Sequence, residues 1–217
     1  MIHFDSNSNL FTIYQHVDNR PTSISSIVKA ITEAKGGDLW VGTQQGLDLF
    51  KPESGQFKSF THDDDNPTSI IYDSVNALMT DAAGNLWIGT DNGLDRLAKD
   101  GTRFIHYQND PSFPRSLSSN VVTSIYEDLG GVLWFGTYGA GVNKYDRARN
   151  AFAYYRNNPK DPASLSSNFI FPIYGSKDGY AWIGTLGEGL NRFNWRPAKT
   201  SVSFQTPITR TASARTG

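Results

Sequence analysis

The amino-acid sequence predicts an all-β fold: a β-propeller of four-stranded antiparallel blades, with about four blades present and the ring incomplete. Three observations lead there. Trp40, Trp87, Trp134 and Trp182 lie 47, 47 and 48 residues apart, and each opens a Trp-[Val/Ile/Phe]-Gly-Thr tetrapeptide whose glycines are Gly42, Gly89, Gly136 and Gly184. Other marks keep phase with the tryptophans: a glycine before each (Gly37, Gly84, Gly131, Gly179), a glycine after each (Gly46, Gly93, Gly141, Gly189) followed by Leu or Val, and an upstream Pro-x-Ser-[Ile/Leu] starting at Pro21, Pro67, Pro114 and Pro162. Turn signals also arrive about every 8–12 residues with β-branched and aromatic residues between them, which suits short strands, whereas a helical repeat needs about 10–15 residues of 3.6 periodicity. Propeller blades have four strands and periods of about 40–50 residues.

The third copy shows the elements in order. Strand A covers Val122–Glu127, with Val28, Val75 and Ile170 at the same place in the other copies. It is apolar on both faces, as an innermost strand flanked by two blades must be. Leu129-Gly130-Gly131 reverses the chain, because glycine accepts positive φ. Strand B covers Leu133–Thr137, and its glycine leaves room for a neighbouring blade to approach. A turn at 138–141 leads to strand C, Val142–Tyr145, and a turn at 146–150 leads to strand D, Ala151–Tyr155. A long polar loop, Arg156–Asn168, then crosses to the next copy.

Phased on these marks, residues 1–16 end a preceding blade, with strand D over Leu10–His16. Residues 17–61, 62–107, 108–155 and 156–204 form blades one to four, the last with a weak final strand over Ser201–Phe204. Residues 205–217 are expected to be a disordered tail. Two architectures fit: an open part of a wider ring, the favoured one, or a closed four-blade ring in which strand 10–16 completes blade four. An open arc exposes apolar faces at its ends and needs a partner, a second copy or the remainder of a parent propeller.

Composition excludes several functions. Net charge is −1 with both signs interspersed, so neither nucleic acid nor an acidic partner arm is expected. Cysteine is absent, which removes disulfides and thiolate metal sites. No run of about 18 apolar residues offers a membrane span, and Met1–Asp5 lacks the basic start and apolar core of a signal peptide. The chain therefore reads either as cytoplasmic or as lacking its true N-terminus. No metal or cofactor is expected. Asp63-Asp64-Asp65-Asn66 lacks the spaced carboxylates of a Ca²⁺ loop and reads as a solvated turn. His16 and His62 share a repeat position with Asn109 and Asn157, which suits a polar strand end. No Gly-x-Ser-x-Gly or His-Glu-x-x-His pattern points to catalysis, so an enzyme is not expected, and a propeller lyase or hydrolase is the least favoured reading.

Ser116-Leu117-Ser118-Ser119-Asn120, then Asp128 through Leu133-Trp134-Phe135-Gly136-Thr137, then Gly141-Val142-Asn143-Lys144-Tyr145-Asp146 resemble the repeat of the two-component regulator propeller family. The resemblance runs from residue 4 to about residue 194. Two departures are Pro172 in strand A of the last copy and Ala98 in place of the strand-C Asp. What the resemblance implies is a periplasmic sensor propeller of a membrane-anchored signalling protein, whose kinase or cyclase output is not encoded in this chain.

Ligand contacts are expected where the frame is constant and the residues vary, on loops held by a rigid scaffold. The B–C turns meet that description, giving Gln44, Gln45, Asp91, Asn92, Tyr138 and Glu188 as ligand-binding candidates. Their amides, carboxylates and ring suit a carbohydrate or another small polar ligand; plain turn chemistry is the competing reading. The repeated Trp and Gly residues read as blade packing.

Overall fold

The computed structural model describes residues 2–5, 9–14, 27–176, 179–194 and 204–205. A leading hairpin pairs β1 (Ile2–Asp5) with β2 (Leu10–Ile13). Blade one holds β3 (Val28–Glu33), β4 (Leu39–Thr43), β5 (Gly46–Lys51) and β6 (Gln56–Phe60). Blade two holds β7 (Val75–Thr80), β8 (Leu86–Thr90), β9 (Gly93–Leu97) and β10 (Phe104–Tyr107). Blade three holds β11 (Val122–Glu127), β12 (Leu133–Thr137), β13 (Gly141–Asp146) and β14 (Ala151–Tyr155). Blade four holds β15 (Ile170–Gly175), β16 (Tyr180–Thr185), β17 (Leu190–Asn194) and β18 (Phe204–Gln205). Each blade is an antiparallel sheet in chain order. The expected tail beyond Gln205 and His16 lie outside the described residues.

Successive blades pack through their inner strands, β3 on β7, β7 on β11 and β11 on β15, and no comparable packing joins β15 back to β3. The sheets form an open arc. β2 pairs with β1 and β17 with β18, so the closed ring in which strand 10–16 completes blade four is not what the chain builds.

The repeated marks have mechanical roles. Gly136 lies against the next blade: an added Cβ would sit 2.6 Å from Ile170 Cγ2, and the matching positions Gly42 and Gly89 are pressed by Val75 and Val122. A methyl group there would push two blades apart. The motif threonines close the B–C turns, each hydroxyl donating to the glycine carbonyl across the turn (Thr43 to Gly46, Thr90 to Gly93, Thr137 to Gly141, Thr185 to Gly189, at 2.8–2.9 Å). Gly141 turns with φ 79°, and a Cβ there would collide with the Tyr155 carbonyl. The tryptophans fill the blade interfaces: Trp87 meets Tyr107, Phe135 and Tyr145 with ring centroids 5.4–5.6 Å apart.

The Ser-Leu-Ser-x-Asn stretch folds its own loop. Ser116 Oγ accepts the Asp110 N–H, Leu117 is fully buried, and the Asn120 side chain accepts the Asn109 N–H. In blade two, the His62 ring engages the Ile70 carbonyl, where Asn109 and Asn157 donate to the Leu117 and Leu165 carbonyls. The shared His/Asn position is thus a loop brace. The later loop residues are further pinned from strand C, whose buried polar side chains accept backbone N–H groups: Asp95 from Ile71, Asn143 from Ser118 and Asn191 from Ser166.

Candidate functional site at the mouth of the central groove

The inner strand of every blade carries a register shift at the same point, between Val28 and Ala30, Val75 and Ala77, Val122 and Ser124, and Ile170 and Ile173. A bulge of this kind frees one residue from the ladder and re-aims it. The freed residues are Lys29, Asn76 and Thr123. In blade four two residues are skipped, Phe171 and Pro172, and Pro172 has no N–H to give the ladder.

These side chains run around the inside of the arc. Lys29 Nζ donates to Ser74 Oγ (2.8 Å) and Asn76 Oδ1 (2.9 Å) of the next blade. Asn76 Nδ2 in turn reaches Asp91 Oδ1 (2.7 Å) and the Val122 carbonyl (3.3 Å). Thr123 Oγ1 donates to the Ile170 carbonyl at 2.7 Å. Below them lies a groove of about 420 Å³ bordered by all four inner strands, from Ala30 and Ala77 to Thr123 and Phe171.

The B–C turns sit at the same end of the arc. Their first residues donate backbone N–H to the residue just before each inner strand: Gln44 to Ile27, Asp91 to Ser74, Tyr138 to Val121 and Leu186 to Phe169, at 3.0–3.2 Å. Two of the six predicted ligand residues therefore meet the groove mouth with their side chains. Asp91 joins the Lys29–Asn76 chain, and Tyr138 packs edge-on against Phe169 (4.8 Å) and Phe171 (6.2 Å). All three rings are exposed. The Asn92 backbone carbonyl accepts from Gln108 Nε2. Gln44, Gln45 and Glu188 are exposed on the turns of blades one and four. Sequence reasoning missed Lys29, Asn76, Thr123, Phe169 and Phe171. The available signal was variation: the second residue of strand A reads Lys, Asn, Thr and Phe in a constant frame.

Other polar groups hold the scaffold. His106 bridges buried Asp95 (Nδ1 to Oδ1, 2.5 Å) and the Pro67 carbonyl (Nε2, 2.9 Å). Both ring nitrogens face acceptors, and the hydrogen bond to Asp95, with its charge, raises the His106 pKa against the opposing effect of burial. At the opposite end of the arc, Asp81 accepts from Trp87 Nε1 (2.9 Å), Asn85 and Arg147 Nη1 (3.1 Å). Burial pushes its carboxyl up, but these hydrogen bonds and the Arg147 charge outweigh it and leave the group below the ordinary carboxylate value. Among the described residues no group of three or more His, Cys, Asp or Glu is placed to hold a metal ion, and no helix is long and apolar enough to cross a membrane.

Known proteins share this architecture. The extracellular domain assigned to a hybrid two component system of B. thetaiotaomicron is 26% identical with a TM-score of 0.75, over 91% of this chain and 27% of that one. PorZ of Porphyromonas gingivalis, described as an essential bacterial surface component of the type-IX secretion system, is 18% identical with a TM-score of 0.65, over 88% of this chain and 28% of its own. Virginiamycin B lyase of Staphylococcus aureus is 15% identical with a TM-score of 0.61, over 91% of this chain and 60% of its own. The last two share the fold alone. This chain spans about a quarter of the length of the first, and no curated protein sequence matches it. Residues 69–92 and 116–139 match the two component regulator propeller family. On that match and on the blades they build, these two segments are two-component regulator propeller repeats.

Proposed function

We propose that this chain is a ligand-reading propeller module of a two-component-type signalling protein, working outside the cytoplasm and without catalysis of its own. One observation carries the reading. Nearly every repeated residue is spent on packing or on bracing loops, while the copy-specific residues Lys29, Asn76, Asp91, Thr123, Tyr138 and Phe171 gather at one groove mouth. A cation, a carboxylate, an amide and a hydroxyl beside exposed ring edges suit a small polar ligand of carbohydrate type, held by directional hydrogen bonds and ring contact. The similarity to the extracellular domain assigned to a hybrid two component system supports the compartment and the role.

The test is a thermal-shift screen of the folded chain against a broad glycan panel, since a ligand that binds only the native state raises the melting temperature. The expected result is a shift that disappears in Asp91→Ala and Tyr138→Ala. A full panel with no shift would count against the proposal.

A second reading, association through the arc ends, has its own observation. Leu47, Leu94 and Val142 are at most 1% exposed, while Leu190, at the same repeat position in blade four, is 46% exposed. Further blades or a second copy would cover it. A strict monomer by light scattering would argue against self-association.

A further inference from the structure

A second cavity lies at the other end of the arc, between blades one and two, with a volume of about 280 Å³. It stands where the repeat departs from itself. Blades two and three place a carboxylate under the tryptophan indole: Asp81 for Trp87 at 2.9 Å and Asp128 for Trp134 at 2.8 Å. The same position in blade one is Ala34, which lines the cavity together with Trp40. Trp40 is 9% exposed, and among the described residues its Nε1 has no hydrogen-bond partner.

Three further side chains are exchanged around the same space. Tyr145 and Phe193 put rings on Trp87 and Trp134 (5.4 and 5.0 Å), but the matching residue facing Trp40 is Leu97. Arg96, Lys144 and Arg192 lie over the indoles of Trp87, Trp134 and Trp182, whereas the residue paired with Trp40 across the strands is Leu49. Arg147 reaches across from blade three to Asp81, and its counterpart reaching toward blade one is Lys99, which lines the cavity and has no carboxylate partner among the described residues. The interface thus keeps the donor and the cation that hold a carboxylate, and lacks the carboxylate at the Asp81 position and the ring at the Tyr145 position.

We infer that this cleft binds a small carboxylate with an apolar body, its anionic group taking the place that Asp81 fills one blade on. Trp40 Nε1 and Lys99 Nζ would donate to the carboxylate, as Trp87 and Arg147 do to Asp81. The apolar body would lie against Trp40, Leu49, Leu86 and Leu97 in the space left by the missing ring. Asp38 also lines the cleft, and its carboxylate would take an ammonium if the ligand carries one. This site is separate from the groove mouth, so its success or failure is independent of the proposed sensor site.

The test uses calorimetric titration of the whole chain with phenylacetate, L-phenylalanine and 2-phenylethanol. One or both carboxylates should bind saturably and the alcohol at least about tenfold more weakly, the scale of one charge-assisted hydrogen bond. L-phenylalanine binding more tightly than phenylacetate assigns its ammonium to Asp38; the reverse order assigns a simple acid. Lys99→Ala, an exposed change with no packing cost, should weaken binding at least about tenfold. Ala34→Asp should abolish it by supplying the carboxylate from the chain, while Tyr138→Ala leaves it unchanged. The inference is overturned if neither acid binds at about 10 mM, or if Lys99→Ala binds as wild type does.

Discussion

Blades two and four carry the same marks and spend them differently. Trp87 is essentially inaccessible, with Tyr107, Phe135 and Tyr145 around it and Asp81 on its N–H. Trp182 is only half-buried, and Ser176 stands where Asp81 does. Leu94 is sealed under the next blade, while Leu190 looks outward. Blade one departs on its other face: β3 alternates between half-buried and exposed residues, with Ile31 half open, and among the described residues β7 is the inner strand packed closely on it. The motif describes a contact between neighbours more than a property of one blade. A residue is worth what the adjacent blade makes it worth, as expected when stability is a sum of repeat and interface terms.

The largest test of this contrast is the tryptophan itself. Trp87→Ala should cost about 3–5 kcal/mol, the usual loss for a large buried aromatic. Trp182→Ala should cost well under half as much by urea denaturation. Equal losses would mean that the tryptophans act within blades.

Next comes the buried acid. Asp81→Ala strands the Trp87 and Asn85 donors and the Arg147 cation, for an expected loss of about 2–3 kcal/mol. The sign with pH follows from its lowered pKa: the contribution is full above the unfolded value of 3.8 and is lost as pH falls through the lower folded value. Wild type and variant should therefore converge in stability only in strong acid, below about pH 4.

His106→Ala should cost about 1 kcal/mol by releasing the loop carbonyl of Pro67 and leaving Asp95 without its ring partner. Here the sign is opposite. A raised histidine pKa gives a contribution that is full below 6.5 and fades as pH rises through the folded value. Melting temperature compared at about pH 5.5, one unit below the unfolded value, and at about pH 9 should show the gap between wild type and variant narrowing in alkali.

The smallest effect belongs to the groove mouth. Tyr138→Ala should change stability by no more than about 0.5 kcal/mol, because its ring is exposed and only edge-packed on Phe169 and Phe171. A large loss there would make Tyr138 a packing residue.

Much of the fold was legible because the repeat repeats. Four tryptophans in phase place strand B, glycine-containing turns place its limits, and β12 and β14 cover the expected Leu133–Thr137 and Ala151–Tyr155. Strand C extends one residue further at each end, over Gly141–Asp146. The site was less legible. A bulge is an event between two strands, so no pattern within one strand announces that Lys29, Asn76 and Thr123 leave the ladder. Asp91 and Tyr138, chosen because turn residues that vary in a fixed frame are visible in the sequence, stand at the groove mouth, and the same criterion chose Asn92, whose backbone carbonyl accepts from Gln108 Nε2. The role of Asp81 was hidden for another reason: its partner Arg147 lies 66 residues away and meets it only once two blades stack.

The central claim, that the repeated positions earn their stability from the neighbouring blade, is tested most directly by truncating one position in two places. Leu94→Ala and Leu190→Ala should be measured side by side by urea denaturation. The account predicts a loss of about 2–5 kcal/mol for Leu94→Ala, the range for a sealed leucine, and less than about 1 kcal/mol for Leu190→Ala. Similar losses at the two positions would contradict it.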